Sequence, residues 1–220
     1  MKDLTPTRGG ALLRRMVAEG EHQRQDFKFA ISDARKIARS ICAFANRDGG
    51  RLLIGVKDNG SLAGVRNEED IYVVEQAAQR YCIPPQDVDF KAYSFDAKGI
   101  IIAATVEKCH RMPVYVDEGG GKKRAYYRVA DENIAAHPLM IRAWERRKSV
   151  FAPVISQQHS ALLALLDQPR EVDPVSLAIS LHCSRATAEE LIVSLAAIGS
   201  IEFIHTQGRF FIATASNEQT

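Results

Sequence analysis

The chain has 220 residues, of which 46% are hydrophobic and 25% charged, so it can form one sizeable domain or two small ones. The N-terminal segment 1–6 lacks the apolar core of a signal peptide, and no run of about 18 apolar residues occurs, so we expect no membrane partner. Four scattered cysteines without Cys-x-x-Cys spacing indicate a reduced, cytoplasmic protein without a zinc site.

The formal net charge of +2 hides an asymmetry along the chain. From Phe151 onward there are three basic and seven acidic residues, whereas residues 1–150 hold 26 basic and 20 acidic residues, a net of +6. Nucleic-acid binding depends on cationic side chains that neutralise phosphates. If nucleic acid is a partner, the first part of the chain is expected to carry the contacts.

Hydrophobic periodicity predicts mixed helices and strands in the first 149 residues, after a loose leader at 1–9. The predicted elements are helix 11–18, strand 26–30, helix 34–46, strand 52–56, a short return strand 62–65, helix 68–81, hairpin 88–106, hairpin 113–129 across 118–123, and helix 138–148. Strands intermixed with helices, with hairpins late in the order, favour an α+β fold in which helices cover a mixed sheet.

The segment 43–60 is the most structured part of this pattern. A helix ends at Gly49 and Gly50, an apolar strand follows, and Asp58-Asn59-Gly60 is a strong turn signal. Gly55 inside the strand allows another backbone or a ligand to approach closely. Charged residues at both ends suit a functional site, but these residues alone favour an ordinary helix–strand unit.

A second unit, 154–215, follows a predicted boundary at 149–153. Its pattern is helix 156–166, helix 174–181, helix 185–198 and a hairpin over 201–213. Three short helices closed by a hairpin resemble a winged helix-turn-helix domain.

Several motifs in order make the first part similar to a known family. They are Asp26-Phe27-Lys28, the Ala-Phe-Ala-Asn…Gly-Gly run at 43–50, Ile54 to Gly60, Pro113-Val114-Tyr115 and Ala125 to Val129. Over about residues 10–148 the chain resembles the Schlafen AlbA-like domain, formerly called the divergent AAA domain. One departure is that the family usually has glutamate where this chain has Asp26.

The resemblance implies one candidate catalytic site. In Schlafen proteins with ribonuclease activity an acidic trio forms the active site, and the matching residues here are Glu21, Asp26 and Asp58. Clustered carboxylates hold Mg²⁺ or Mn²⁺, which activates water and offsets phosphate charge. The alternative is structural, with Asp58 in a turn and Asp26 on the polar face of a strand. No glycine-rich nucleotide-binding motif is present, so no other cofactor and no ATPase activity are expected.

Candidate nucleic-acid contacts are basic residues near these motifs and in the second unit. They are Lys28, Arg47, Lys57, Arg111, Lys122, Lys123, Arg124, Arg128, Arg185 and Arg209. Lys122 to Arg124 follow three glycines and form a flexible basic hairpin tip suited to a phosphate backbone or a groove. Tyr126 and Tyr127 lie beside the tip, where a core position is preferred to contact with a base.

In the second unit, Arg185 begins the candidate recognition helix and Arg209 marks the wing. Residues 187, 188, 190 and 194 are predicted on the same outer face of that helix. Because Glu189 and Glu190 follow Arg185, and the chain from Phe151 onward carries a net charge of −4, contact with another protein is the alternative.

The sequence thus predicts a DNA-binding transcriptional regulator of bacterial type, acting as a homodimer, with DNA preferred to RNA. The alternatives are a metal-dependent nuclease that uses Glu21, Asp26 and Asp58, and a protein-assembly module.

Overall fold

The computed structural model describes residues 4–65, 69–95, 99–147 and 154–215. Contacts divide the chain into two compact units, Met1–Ala136 and His137–Thr220. Within the described ranges, no helix is both long and apolar enough to cross a membrane.

The first unit contains ten strands, three α-helices and a π-helical turn among its described residues. The helices are α1 (Gly10–Ala18), α2 (Ala34–Ala45) and α3 (Glu69–Gln76), and the π-helical turn is Ala77–Tyr81. The strands are β1 (Thr7–Arg8), β2 (Gln25–Lys28), β3 (Gly50–Ile54), β4 (Cys82–Ile83), β5 (Asp89–Phe95), β6 (Gly99–Val106), β7 (Tyr115–Gly119), β8 (Lys122–Arg124), β9 (Tyr126–Val129) and β10 (Glu132–Ala135).

Five strands form a mixed sheet in the order β1-β5-β6-β3-β2. The outer pairs β1–β5 and β2–β3 are parallel, and the inner pairs are antiparallel. A smaller antiparallel sheet has the order β4-β7-β8, and β9 pairs with β10. The predicted α+β class with a mixed sheet is confirmed.

The five-stranded sheet is buried on both faces because its central strands alternate between two cores. Leu52 and Ile54 pack in the larger core with α2 and α3, whereas Leu53 packs with Leu13 and Met16 of α1 on the other face. A strand buried on both faces reads as a continuous apolar run, which is why β3 is apparent from the sequence.

The glycines of segment 43–60 make room for the chain's own backbone. Gly55 has a φ of +94°, and a Cβ there would lie 2.7 Å from the carbonyl carbon of Gly64. The Gly55 carbonyl accepts hydrogen bonds from the amides of Ala63 and Gly64 at 2.9 and 3.0 Å. The close approach predicted at Gly55 is therefore made by residues 63–65.

Asn46 caps the C-terminus of α2 and joins it to two other segments. Its buried side-chain amide donates to the carbonyls of Val114 and Tyr126, both at 2.8 Å, and its Oδ1 accepts from the Val114 amide at 2.7 Å. Val114 precedes β7 and Tyr126 begins β9. One side chain thus fixes both ends of the β7–β8 hairpin.

The second predicted hairpin differs from the structure in its partners. Strand 124–129 was predicted as one strand, but only 122–124 pairs with β7, while β9 pairs with β10. The break lies at Ala125, whose carbonyl accepts from the Ala136 amide at 2.9 Å, so the chain turns into a second hairpin. The leader also differs, because Thr7 and Arg8 form β1 beside β5. Residue 68, where the helix 68–81 was predicted to begin, and residues 96–98, in the middle of the hairpin predicted over 88–106, lie outside the described residues.

The second unit contains four α-helices and three strands among its described residues. They are α4 (Pro138–Arg146), α5 (Gln157–Ala164), α6 (Pro174–Ser180), α7 (Arg185–Ala197), β11 (Arg170–Glu171), β12 (Ile201–Thr206) and β13 (Arg209–Thr214). The strands form an antiparallel sheet in the order β11-β13-β12. The sequence placed helix 138–148 in the first domain, but α4 packs on α7 and belongs to the second unit. The predicted boundary at 149–153 lies outside the described residues.

His137 precedes α4 and acts as its N-cap. Its Nδ1 accepts a hydrogen bond from the Leu139 amide at 3.2 Å, and its ring stacks with that of Phe203 and lies tilted against that of Phe210. Burial lowers the pKa of His137, although Glu189 opposes this shift. A protonated imidazole cannot accept at Nδ1 and places positive charge at a helix N-terminus, so the cap requires the neutral ring.

We predict that Asn46→Asp destabilises the protein by about 2 to 4 kcal/mol, because a carboxylate cannot donate to the carbonyls of Val114 and Tyr126. Urea unfolding followed by circular dichroism measures the change. Asn59→Asp, at an exposed turn, is the matched control and should change stability by less than about 0.5 kcal/mol. Equal effects of the two substitutions would contradict the role assigned to Asn46.

We predict that protonation of His137 lowers the stability of the second unit in acid. Since the folded pKa lies below the unfolded value of about 6.5, the contribution is complete above that pH and is lost as pH falls through the folded pKa. Unfolding monitored through Trp144, the single tryptophan, should report the change between about pH 7 and 5. His137→Asn, which caps without titrating, should reduce this slope, and His182→Asn should not.

Candidate functional site

Asp26 is the centre of a buried polar network in the first unit. The residue is only 4% exposed. Its Oδ2 lies 2.8 Å from Lys28 Nζ and accepts a hydrogen bond from Ser40 Oγ at 3.2 Å. Oδ1 lies 3.4 Å from Nη2 of Arg128. Both carboxylate oxygens therefore have cationic partners from the protein.

Glu21 is the second member of the predicted acidic trio, and it does lie beside Asp26. Its Oε1 accepts from the Phe27 amide at 2.8 Å. Burial and a hydrogen bond to Asp26 raise the pKa of Glu21. Burial would also raise the pKa of Asp26, but Lys28, Glu21 and Arg128 together lower it. When the pair holds one proton, that proton therefore resides on Glu21.

Asp58 is exposed in the turn after β3, where the Gly60 amide donates to the Lys57 carbonyl at 2.8 Å. Within the described ranges, no three His, Cys, Asp or Glu side chains are grouped so that they could hold a metal ion. Asp26 would have to give up Lys28 and Arg128 to bind a divalent cation. The residues present therefore do not fit the Mg²⁺ or Mn²⁺ that the family resemblance implied.

Arg128 was predicted to contact nucleic acid, and this prediction fails on burial. The residue is 1% exposed, with Nη1 donating to Asn133 Oδ1 at 2.9 Å and its guanidinium 5.2 Å from the ring centre of Phe44. A phosphate in solution cannot reach this side chain. Instead, Arg128 supplies the charge that compensates buried Asp26.

Four other predicted contacts of the first unit are separate from one another. Lys28 is engaged by Asp26. Arg47 lies over the Tyr127 ring and near Asp48, and Lys57 lies over the Phe29 ring. Arg111 is exposed in the loop before β7. These residues do not form a cluster with one another in the contacts described.

Lys122, Lys123 and Arg124 form β8, and all three are exposed. Lys123 Nζ lies 4.6 Å from the ring centre of Tyr115 on β7. The strand order of the small sheet places β8 at an edge. The basic tip predicted from the sequence is therefore a short strand with three consecutive cations. Tyr126 and Tyr127 are buried, and burial raises the pKa of Tyr127 to about 12.

The outer face of α2 adds cations beside this hairpin. Arg35 Nε donates to the Asp117 carbonyl at 3.3 Å, and Arg39 donates two hydrogen bonds to Glu118. Lys36 is exposed on the same helix. The apolar stripe of α2 leaves these three residues on its outer face, but nothing in the sequence shows that the hairpin packs next to Arg35 and Arg39. We name the surface formed by Arg35 and β8 the basic face.

Helix α7 is not available as a recognition helix in the manner predicted. Ala188 and Ser194, predicted on its outer face, are buried, and Ser194 Oγ lies 2.7 Å from His159 Nε2 of α5. Arg142 of α4 forms ion pairs with Glu189 and Glu190, and Arg146 of the same helix pairs with Glu190 at 2.5 Å.

The predicted contacts of the second unit are both exposed and both lie beside an acid. Arg185 Nε lies 3.0 Å from Glu189, and Arg209 Nη1 lies 3.3 Å from Glu171. Their charge is therefore partly offset within the unit.

The first unit is thus an α+β domain with a compensated acidic pair inside and a basic face outside. A family model described as Schlafen, AlbA_2 matches residues 21–137, which is more than half of the chain and ends one residue past the first unit. The chain belongs to this family.

Two solved structures are similar to this chain at low identity. The DIP2311 protein from Corynebacterium diphtheriae is 21% identical, with a TM-score of 0.45, and the match covers 71% of this chain and 36% of that one. The N-terminal domain of a protein described as related to the ATP-dependent DNA helicase RecG, from Nitrosomonas europaea, is 18% identical, with a TM-score of 0.39, and covers 69% of this chain and 96% of that one. Similarities at this level say nothing about function. No significant match was found among curated proteins.

We predict that Asp26→Asn destabilises the protein by about 3 to 5 kcal/mol, because it leaves the buried Arg128 guanidinium without its counter-charge. Glu21→Gln, which keeps a hydrogen-bonding group at a less buried position, should cost clearly less. Urea unfolding measures both. Adding Mn²⁺ to the unaltered protein should leave its thermal midpoint unchanged, and a rise of several degrees would show that the acidic pair does bind metal.

Proposed function

We propose that this protein binds nucleic acid through the basic face. The observation that supports the proposal is the contact between α2 and the hairpin, which brings exposed Arg35 next to a hairpin that carries exposed Lys122, Lys123 and Arg124. These cations, with Glu118 of the hairpin neutralised by Arg39, suit a chain of phosphates.

Duplex DNA is the preferred ligand in this proposal. A two-stranded ribbon such as β7–β8 has the width to enter the major groove of B-form DNA, whereas the major groove of A-form RNA is too narrow to admit side chains for readout. Cationic contacts along β8 would give affinity without much sequence preference. We infer that the protein regulates transcription and binds DNA as a homodimer. Two copies would double the small number of cations that contact the phosphates.

Cleavage by a metal-dependent mechanism is a less favoured function, because Asp26 is already bound by Lys28 and Arg128. The assembly alternative concerns the second unit. In this unit, arginines of α4 form ion pairs with the acidic residues of α7. The unit is therefore better suited to contact with another protein than to reading DNA. A molecular mass determined by light scattering tests assembly, and a monomer at micromolar concentration would remove both the homodimer and the assembly role.

We predict that Lys122→Ala/Lys123→Ala/Arg124→Ala weakens binding to a labelled 20-base-pair duplex by roughly 10- to 100-fold at about 0.1 M salt. The slope of log affinity against log salt should fall by about 2 to 3, since each lost phosphate contact removes about 0.9. Fluorescence anisotropy at several salt concentrations measures both quantities. Duplex RNA of the same sequence should bind more weakly.

The matched control is Arg14→Ala/Arg15→Ala/Lys91→Ala, which removes the same charge from exposed positions on α1 and β5. Helix α1 packs on the face of the sheet opposite α2, so this variant should bind as the unaltered protein does, apart from a small effect of net charge. Equal losses in both triple variants would contradict a localised basic face. Absence of salt-sensitive binding to DNA and RNA would contradict the proposal, and cleavage dependent on Mg²⁺ or Mn²⁺ would favour a nuclease.

A further inference from the structure

Glu118 occupies an unusual position for an acid on a cationic hairpin. Its side chain is 15% exposed, and its carboxylate receives two hydrogen bonds from Arg39, Nε to Oε1 at 2.9 Å and Nη2 to Oε2 at 2.6 Å. The Tyr126 hydroxyl donates to Oε1 at 2.6 Å. Charge-assisted, bidentate pairs of this geometry are among the stronger polar contacts in proteins.

A second contact from α2 supports the same hairpin one turn of helix earlier. Arg35 Nε donates to the Asp117 carbonyl, and its guanidinium lies 4.8 Å from the ring centre of Tyr81. The guanidinium also passes 3.4 Å from the place where a Cβ on Gly119 would stand. Gly119 lies at an irregular register between β7 and β8, with a φ of +85°. Arg35 therefore contacts the hairpin at the point where its backbone is least regular.

The hairpin has little other support on its β8 side. Among the described strands, β8 pairs only with β7, and the three side chains of β8 are exposed. The position of β8 is therefore set by β7, which packs on α2. Hydrogen bonds within a two-stranded ribbon do not by themselves fix its direction relative to a helix.

We propose that Arg39, Glu118 and Tyr126 form a clamp that holds the β7–β8 hairpin against α2, and that Glu118 and Tyr126 are positioning residues for nucleic-acid binding. The clamp keeps the hairpin that carries Lys122 to Arg124 beside Arg35, so that cations from both elements meet one ligand together. Glu118 then raises affinity although its own charge repels phosphate. This inference rests on the proposed function, but its structural part is measurable without any ligand.

The sign of the effect of Glu118→Gln separates a clamp from simple electrostatics. Removing a negative charge beside the basic face should strengthen binding if charge alone matters. If the clamp matters, the same change weakens binding, because the hairpin spends less time in the competent position. Tyr126→Phe removes one hydroxyl without changing charge, so simple electrostatics predicts no effect and the clamp predicts a smaller loss.

The experiment combines hydrogen exchange of the free protein with duplex DNA titration of the same samples. We expect Glu118→Gln to speed exchange of the amides in 116–124 about 10-fold and to weaken binding about 5-fold, and Tyr126→Phe to shift both in the same direction by less. Glu107→Gln, an exposed acid elsewhere in the first unit, should leave exchange in 116–124 unchanged. Unchanged circular dichroism and thermal midpoint would show that each variant is folded.

Unchanged exchange in Glu118→Gln overturns the clamp, as does tighter binding by that variant. If the unaltered protein shows no salt-sensitive binding, the proposed function fails, while the exchange result still decides whether Glu118 holds the hairpin in place. Faster exchange together with weaker binding supports both.

Discussion

The hydrogen bonds of the Asn46 side-chain amide are the interaction on which the position of the β7–β8 hairpin depends. This amide bonds the residue before β7 and the first residue of β9, so the intervening segment leaves and returns at one point on the end of α2. The Sγ of Cys42, one turn earlier, also accepts from the Tyr126 amide at 3.3 Å. The base of the hairpin is thus buried and hydrogen-bonded, while its far end carries exposed cations. This division separates the stability of the domain from the surface that would meet a ligand.

Compensation of charge decides which ionised residues remain available. Asp26 is held by Lys28 and Arg128, and Glu118 by Arg39. Because α4 belongs to the second unit, the first unit has 22 basic and 19 acidic residues, a net of +3 rather than the +6 counted for residues 1–150. The potential of the first unit therefore arises from how its cations are distributed more than from their excess.

Local patterns in the sequence predicted most helices and the central strands well. Helix α2 has an Asp33 cap and an apolar stripe, and β3 is a continuous apolar run, so each is determined by residues near it. The basic hairpin was also predicted, because three glycines followed by three cations are typical of an exposed hairpin tip.

Contacts between distant segments could not be predicted in the same way. Arg128 and Asp26 are 102 positions apart, so nothing local to Arg128 shows that it is buried rather than exposed. The division of strand 124–129 depends on the bond between Ala125 and Ala136, and the basic face depends on α2 and β7 meeting. Likewise, part of the charge that compensates Asp26 comes from Arg128, on a strand from the other end of the domain. The charge pattern of the sequence identified candidate nucleic-acid contacts, and tertiary packing decides which of these side chains are exposed.

The tip of the hairpin has open space around Gly120 and Gly121. A Cβ on Gly120 or Gly121 would meet no atom within 4 Å, and both residues have positive φ. Because the cost of closing a loop grows slowly with its length, residues inserted there would leave Asn46 and the core undisturbed. The length of the tip can therefore change independently of the domain, and with it the distance that the proposed basic face reaches.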